Sequence, residues 1–374
     1  MAWTCPATRR SARRSWPGTS PTTPTRRKQP PKRCCATTPP PRSRAAAAKR
    51  RAASATSATS AKHIATPSGA PPPTGWRNNP PTNRNAPVPD HDTLYRSLPV
   101  QDLRLADATL PYRCHGTGPD LLLVHGFPLS GYTWRKVLPA LAERHRCHII
   151  DLAGLGGSVW DEKTDFSFEG HARRLKALVD HLGLQRYDLL SQDTGATITR
   201  CLALMDPARA RRQVMINTEI PGHRPPWIVE YQYLMRLPFT PAVFRLLLKS
   251  RAFQRSAMAF GGCFDDLDLI DGDFHREFIA PCVSEPRRIE GLRDYLIGAN
   301  WPTVDAFATR HAEFHEPVLL LWGEDDPTFP LPRARAMLPQ FRDARMVTIP
   351  RAKLLPQEEK PGEVAKAVLE FLSG

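Results

Sequence analysis

The sequence contains no run of 18 or more apolar residues, so it offers no segment that could cross a bilayer as a helix. Its eight cysteines form no Cys-x-x-Cys pair. In a chain of this length we interpret them as reduced thiols, and we expect neither a disulfide framework nor a zinc site. No secretory hydrophobic segment is visible near the start. These absences lead us to expect a cytoplasmic protein with no metal ion, no cofactor and no membrane partner.

Acidic residues are missing from residues 1–89, which hold 17 of the 52 Lys and Arg residues and 17 of the 39 prolines. The other 35 basic residues are set against 37 acidic ones, so residues 90–374 are near neutral and no nucleic-acid partner is expected. The composition predicts that residues 1–89 form a disordered basic tail. An organelle transit peptide, a basic arm for nucleic acid or membrane, and an extension without function are the open interpretations of this tail.

From residue 90 onwards, apolar runs alternate with amphipathic segments. The pattern predicts strands at residues 98–105, 109–115, 121–124, 148–150, 187–190, 212–218, 317–322 and 346–349. It predicts helices at residues 130–145, 166–182, 195–205, 333–338 and 362–372. Repeated β-α units indicate a mostly parallel sheet with helices on both faces. Residues 220–306 have helical patterns instead, which predicts a helical cap inserted into an α/β core of residues 90–219 and 307–374.

A strand-turn-helix signal lies at residues 189–196, which read Leu-Leu-Ser-Gln-Asp-Thr-Gly-Ala. Small residues two before and two after Asp193 permit the strained turn of a nucleophile elbow, which holds the central side chain above the sheet. A carboxylate nucleophile suits attack on an sp³ carbon and gives an ester with the enzyme. The alternatives are that Asp193 caps the following helix, or that Ser191 is the nucleophile from a position that would point elsewhere.

The segment His-Gly-Phe-Pro at residues 125–128 directly follows a predicted buried strand. Gly126 allows a tight bend, so the backbone amides of Phe127 and Thr194 can face the same pocket. Two N–H groups aimed at one point form an oxyanion site. We interpret His125 as a hydrogen-bonded scaffold residue.

Together with residues 151–158 (Asp-Leu-Ala-Gly-Leu-Gly-Gly-Ser) and 322–327 (Trp-Gly-Glu-Asp-Asp-Pro), these segments resemble α/β-hydrolase fold proteins in order and spacing. The Asp at the elbow resembles the branch of epoxide hydrolases and dehalogenases. The resemblance implies a cofactor-independent hydrolase of a small apolar substrate. In that branch an acid orients a catalytic His, and Asp326 matches this acid, with Asp325 as the alternative in a shifted register. Glu219 matches a second position for the acid, before the cap.

The resemblance also implies a His between the last strand and the last helix. Residues 349–361 fit the family's pattern, but Leu354 stands at the position of the His, and no His follows His315. Activation of water against an ester needs a base, and we predict His223 as the substitute, with Lys353 as a further option. The remaining alternatives are an inactive or single-turnover homologue that binds a small apolar ligand, and proton-transfer or lyase chemistry with Asp193 as the base.

Within the cap, the resemblance implies tyrosine hydroxyls that protonate an epoxide oxygen, and Tyr231 and Tyr295 are the predicted pair. Trp227 indicates an apolar substrate pocket. Phe127 and Thr194 do not supply the halide-binding donors usual in dehalogenases. The expected partner is a small molecule, and the sequence leaves the oligomeric state open.

Overall fold

The computed structural model describes residues 90–374, and the expected tail at residues 1–89 lies outside the described residues. Within the described part, a sheet of nine strands forms the centre of the molecule. The strands are β1 (Gln101–Arg104), β2 (Ala108–His115), β3 (Asp120–Val124), β4 (Arg146–Ile150), β5 (Val159–Trp160), β6 (Tyr187–Gln192), β7 (Ala210–Ile216), β8 (Val318–Gly323) and β9 (Ala344–Ile349). Their order is β1-β2-β4-β3-β6-β7-β8-β9, and β5 pairs with β2.

The sheet is antiparallel at one edge and parallel elsewhere. Strands β1, β4 and β5 pair with β2 in antiparallel fashion, whereas every pairing from β4 through β3 to β9 is parallel. The central strands β3, β6 and β8 are buried along almost their whole length, as expected where helices cover both faces. The structure thus confirms the α/β class with a mostly parallel sheet.

The helices before and after the central insertion follow the predicted alternation. They are α1 (His91–Ser97), α2 (Leu138–Ala142), α3 (Phe168–His181) and α4 (Thr194–Met205). Between β7 and β8 lie α5 (Pro226–Leu234), α6 (Thr240–Leu247), α7 (Arg251–Gln254), α8 (Ala280–Ser284), α9 (Pro286–Gly298) and α10 (Trp301–Arg310). The chain ends with α11 (Leu331–Met337), α12 (Pro356–Glu359) and α13 (Pro361–Ser373). The helical content between β7 and β8 is as expected, while the division into core and cap stays a prediction.

Two local predictions are wrong. The continuous helix expected at residues 130–145 is a 3₁₀ turn (Gly131–Trp134) capped by Ser130, followed by the separate helix α2. Pro139 is the physical reason, because a proline inside a helix removes a hydrogen bond and clashes with the preceding turn, so α2 begins next to it. Strand β5 was not predicted, since its two residues are too few to show an alternating pattern.

Within residues 90–374, the helices are all too short or too polar to cross a membrane.

Candidate active site

Asp193 lies in the turn between β6 and α4 and has the strained backbone of a nucleophile elbow. Its φ and ψ angles are 52° and −133°, and its amide donates to the carbonyl oxygens of Ile216 and Asn217, both at 3.0 Å. The turn needs small neighbours: a Cβ on Gly195 would lie 2.3 Å from the His125 carbonyl, and a Cβ on Gly126 would lie 2.5 Å from Asp193 Cβ. The structure therefore brings the two predicted loops into direct contact.

The Phe127 amide faces the Asp193 side chain. It donates to Asp193 Oδ2 at 2.8 Å and to Thr194 Oγ1 at 3.0 Å. The Tyr295 hydroxyl donates to the same Thr194 Oγ1 at 2.9 Å, and its ring stacks on Phe127 with centroids 5.6 Å apart. Helix α9, which carries Tyr295, is thereby fixed to the elbow.

His125 has the geometry of a scaffold residue, as expected. Its Nε2 accepts a hydrogen bond from the Leu152 amide at 3.0 Å, which leaves Nδ1 as the donor to the Gly126 carbonyl at 2.9 Å. Burial lowers the pKa of this imidazole. Both ring nitrogens are occupied in joining the loops after β3 and β4.

Asp193 and Glu219 are two buried acids on the same cavity wall. Burial raises the pKa of Asp193 well above its usual value, and the charge of Glu219 raises it further. Backbone hydrogen bonds from Thr194 and Phe127 act in the opposite direction. The Thr218 hydroxyl links the two residues: it lies 2.9 Å from the main-chain carbonyl oxygen of Asp193 and 3.0 Å from the carboxylate oxygen Oε2 of Glu219.

Arg200 is a fully buried cation beside Glu219 that the sequence analysis missed. Its Nη2 donates to Thr197 Oγ1 at 2.6 Å, to Thr218 Oγ1 at 3.2 Å and to the Glu219 carbonyl at 3.0 Å. Thr197 Oγ1 in turn donates to Glu219 Oε2 at 2.6 Å. Burial lowers the pKa of Arg200 to about 10, so the guanidinium remains charged at neutral pH. The sequence held one indication of this burial, because Arg200 is the one charged residue among the twelve residues of α4.

Asp326 follows β8, and among residues 90–374 no Lys, Arg or His side chain forms an ion pair with it. Its Oδ2 accepts from Asn217 Nδ2 at 2.7 Å, and its Oδ1 accepts from the Thr328 amide at 2.7 Å. Burial raises the pKa of Asp326 to about 7, and these hydrogen bonds limit the rise. The neighbouring Asp325 is exposed, so the structure favours Asp326 over Asp325 as the acid at this strand end.

A cavity of about 300 Å³ lies between the carboxyl ends of the strands and the helices of residues 226–301. Asp193, Thr194, Glu219 and Leu354 line it from the sheet side. Three predicted cap residues line it from the other side, namely Trp227, Tyr231 and Tyr295. Most other lining side chains are apolar, including Phe168, Met235, Phe244, Leu248, Phe260, Phe278, Leu292 and Trp301. The cavity therefore suits a small apolar ligand.

Some of the predicted residues point elsewhere. His223 does not line the cavity; its Nε2 donates to the Thr328 carbonyl at 2.8 Å. Lys353 Nζ donates to the Phe264 carbonyl at 2.9 Å. The Tyr231 hydroxyl donates to the Met258 carbonyl, although its ring borders the cavity. Side-chain direction decided these outcomes, and the sequence pattern carries little information about it.

Among residues 90–374, no group of three or more His, Cys, Asp and Glu side chains is arranged to hold a metal ion. The site presents the carboxylates of Asp193 and Glu219, the hydroxyls of Thr194 and Tyr295, and the Phe127 amide. These are the groups needed for nucleophilic attack by an acid and for stabilising an oxyanion.

Comparison with known proteins places this site in a family. Residues 119–361 match the sequence profile described as "alpha/beta hydrolase fold". Haloalkane dehalogenase 2 of Mycobacterium bovis is 28% identical over 265 residues, which cover 69% of this chain and 90% of that protein. Epoxide hydrolase 3 of Xenopus tropicalis is 25% identical over 289 residues, covering 72% of this chain and 77% of that protein.

Solved structures show the same fold. An alpha/beta hydrolase fold protein from Burkholderia ambifaria superimposes with a TM-score of 0.61 at 24% identity, covering 73% of this chain and 100% of the other. An esterase from Thermogutta terrifontis superimposes with a TM-score of 0.59 at 22% identity, covering 73% of this chain and 98% of the other.

Proposed function

Because the chain belongs to the alpha/beta hydrolase fold family, we propose that it is a hydrolase of the epoxide hydrolase and haloalkane dehalogenase kind. The observation that carries this proposal is Asp193, a carboxylate at the elbow beside an apolar cavity, with the Phe127 amide 2.8 Å from its Oδ2. The dehalogenase and epoxide hydrolase relatives support the same kind of reaction. The proposed substrate is a small apolar epoxide or alkyl halide.

In the first step, the free oxygen of the Asp193 carboxylate attacks an sp³ carbon of the substrate. The new C–O bond gives an ester, and the bonding pair leaves with the halide or with the epoxide oxygen. We assign Tyr295 as the donor to an epoxide oxygen, since its hydroxyl already lies beside the elbow. Burial raises the pKa of Tyr295 well above its usual value, so the phenol keeps its proton until the alkoxide forms. Tyr231, the other tyrosine of the predicted pair, is not assigned as a donor, because its hydroxyl donates to the Met258 carbonyl.

In the second step, water attacks the carbonyl carbon of the Asp193 ester. The tetrahedral oxyanion is stabilised by the Phe127 and Thr194 amides. The ester then releases the alcohol, which takes a proton, and the Asp193 carboxylate is regenerated. A base near the ester has to accept a proton from the water, and Leu354, which we propose replaces the family's His, cannot do so.

We assign the base in this step to Glu219 instead of His223. Glu219 lines the cavity next to Asp193, whereas His223 does not. Hydroxyls of Thr197 and Thr218 fix Glu219 Oε2, which leaves Oε1 to take the proton. Arg200 Nη2 donates to the Glu219 main-chain carbonyl at 3.0 Å and to Thr197 and Thr218, so the same cation also holds the two hydroxyls that fix this acid. Asp326 then has a supporting role through Asn217, whose amide it holds at the end of β7.

A single-turnover experiment in ¹⁸O-water tests the proposal. The full-length protein, in excess, is mixed with a panel of terminal epoxides and 1-haloalkanes, and the products and the Asp193 peptide are examined by mass spectrometry. Attack on the ester carbonyl places ¹⁸O in the Asp193 carboxylate and leaves the first-turnover alcohol unlabelled. Asp193→Asn is expected to form neither ester nor product, and the exposed Asp325→Asn is the matched control. Label in the first-turnover alcohol, with none in Asp193, would contradict an ester intermediate.

Leu354 favours a second candidate, a homologue that binds an apolar ligand and completes at most one turnover. The same experiment separates the two functions. A stable ester on Asp193 without free alcohol would indicate single turnover. Ligand binding with neither ester nor alcohol would indicate a binding protein.

A further inference from the structure

The outer side of the inserted helices is unusually apolar. Twelve large apolar side chains among the described residues are exposed, and eight of them lie at residues 233–258. The most exposed are Phe239 at 79%, Tyr233 at 68%, Met258 at 65% and Leu246 at 63%. We call the exposed apolar side chains of residues 233–258 the apolar face. Exposed apolar clusters of this kind mark interaction surfaces.

The segment that carries the apolar face is also basic. Residues 226–260 contain five Arg and Lys residues and one acid, Glu230. Arg251 and Arg255 pair with Asp271. Among the described residues, Arg236 and Lys249 have no carboxylate partner, and both are exposed. The partner of this face should therefore combine an apolar interior with negative charge.

The apolar face is continuous with the cavity. The same helices turn Tyr231, Phe244 and Leu248 towards the cavity, while their outer residues are exposed. Met258 does both, because it lines the cavity and is 65% exposed. Met258 is therefore a point at which the apolar face meets the cavity.

Against the sequence-based expectation of no membrane partner, which concerned spanning segments, we propose that the apolar face docks on the surface of a lipid bilayer with anionic headgroups, from which apolar ligands enter the cavity. Apolar side chains flanked by Lys and Arg are typical of helices that lie in a membrane interface without spanning it. Charge argues against two other occupants. The first is a second copy of the chain, because a two-fold dimer through this face would bring two basic segments together. The second is the segment of residues 1–89, because it is basic without any acid and would be repelled by the basic face.

Flotation of the full-length protein with vesicles tests the proposal. The vesicles are phosphatidylcholine alone, or phosphatidylcholine with about one third phosphatidylglycerol. The double variant Phe239→Ser/Leu246→Ser is expected to lose at least about tenfold in partitioning, since each side chain contributes to apolar burial. Val159→Ser/Val347→Ser is the matched control, because it removes exposed apolar side chains elsewhere. All variants keep residues 1–89, so any binding by that segment cancels.

A charge variant adds an independent readout. Arg236→Glu/Lys249→Glu is expected to reduce the preference for anionic vesicles by about tenfold or more. The proposal is overturned if the wild type does not float, or if Phe239→Ser/Leu246→Ser floats like the wild type. It is also overturned if, without lipid, that double variant converts a dimer into a monomer in sedimentation equilibrium, because the face would then join two copies of the chain.

Discussion

Glu219 and Asp326 follow the neighbouring strands β7 and β8, and each is 4% exposed, yet their surroundings differ. Glu219 accepts from Thr197 and Thr218 and has the charged Arg200 beside it. Asp326 accepts from an amide side chain and a backbone N–H, without a cation, and its pKa is raised to about 7. Equal burial thus gives two different environments, and position separates the roles that we propose, because Glu219 lines the cavity beside Asp193 whereas Asp326 does not.

The largest expected effect is that of Glu219→Gln. The amide keeps the shape of the acid but cannot accept a proton, so we expect product formation to fall about 100- to 10,000-fold. The Asp193 ester should accumulate and be visible by intact-protein mass spectrometry. Asp326→Asn, measured in parallel, should lose less than about tenfold, because Asp326 acts through Asn217. A larger loss for Asp326→Asn than for Glu219→Gln would reverse our assignment of the base.

The same Glu219→Gln variant should change the pH dependence of ester formation. The negative charge of Glu219 raises the pKa of Asp193, so a neutral side chain lowers it. The reactive carboxylate then exists at lower pH, and the rising limb of the alkylation rate should move towards acid. Quenched-flow time courses of Asp193 alkylation at several pH values, analysed by mass spectrometry, measure this shift. An unchanged limb would mean that the two acids are not coupled.

The next largest effect is on stability, and it is expected from removal of the buried cation Arg200. Arg200→Met removes the cation that bonds to Thr197, Thr218 and the Glu219 main-chain carbonyl, and we expect the free energy of unfolding to fall by about 3 kcal/mol. The double variant Arg200→Met/Glu219→Gln should recover part of this loss. Arg310→Met, which removes an exposed ion pair with Glu313 at the end of α10, should cost less than about 0.5 kcal/mol. Urea denaturation measures all three, and additive losses in the double variant would contradict the coupling.

Asp326 should make stability depend on pH in the opposite sense to an acid held in an ion pair, because burial raises its pKa. Its folded pKa of about 7 lies above the ordinary value of 3.8 for an aspartate, so its contribution to stability is full below pH 4 and is lost as the pH rises through 7. Between pH 5 and 8, wild type should lose about 2 kcal/mol more unfolding free energy than Asp326→Asn. Asp325→Asn should follow wild type in urea denaturation. Parallel curves for wild type and Asp326→Asn would show that burial does not perturb this acid.

The smallest expected effect is a gain. Leu354→His would supply an imidazole on the cavity wall, and we expect ester breakdown to rise about tenfold. Leu354→Met, which keeps the volume without a base, should leave the rate unchanged. A single-turnover time course of both variants measures the difference. Equal rates would mean that position 354 does not reach the attacking water.

The sequence predicts the sheet and the elbow well because both depend on local pattern. Long apolar runs identify strands such as β3 and β8, and the small residues around Asp193 require its turn. Arg200 could not be predicted in this way, because one Arg in a helix is usually solvated, and its burial depends on β7 and α10. His223 shows the same limit, since its position near the strand ends was predictable but its bond to the Thr328 carbonyl was not.

The contact from Tyr295 to Thr194 has a consequence for when the protein is reactive. The hydroxyl of α9 is bonded to the residue that follows the nucleophile, and its ring stacks on Phe127. Any opening that separates α9 from α4 breaks both interactions at the Asp193 turn. In an open molecule, the groups around the Asp193 carboxylate would therefore be less well ordered. In the function that we propose, the enclosing helices protect the Asp193 carboxylate from alkylation by reagents in solution and limit its reaction to molecules that fit the cavity.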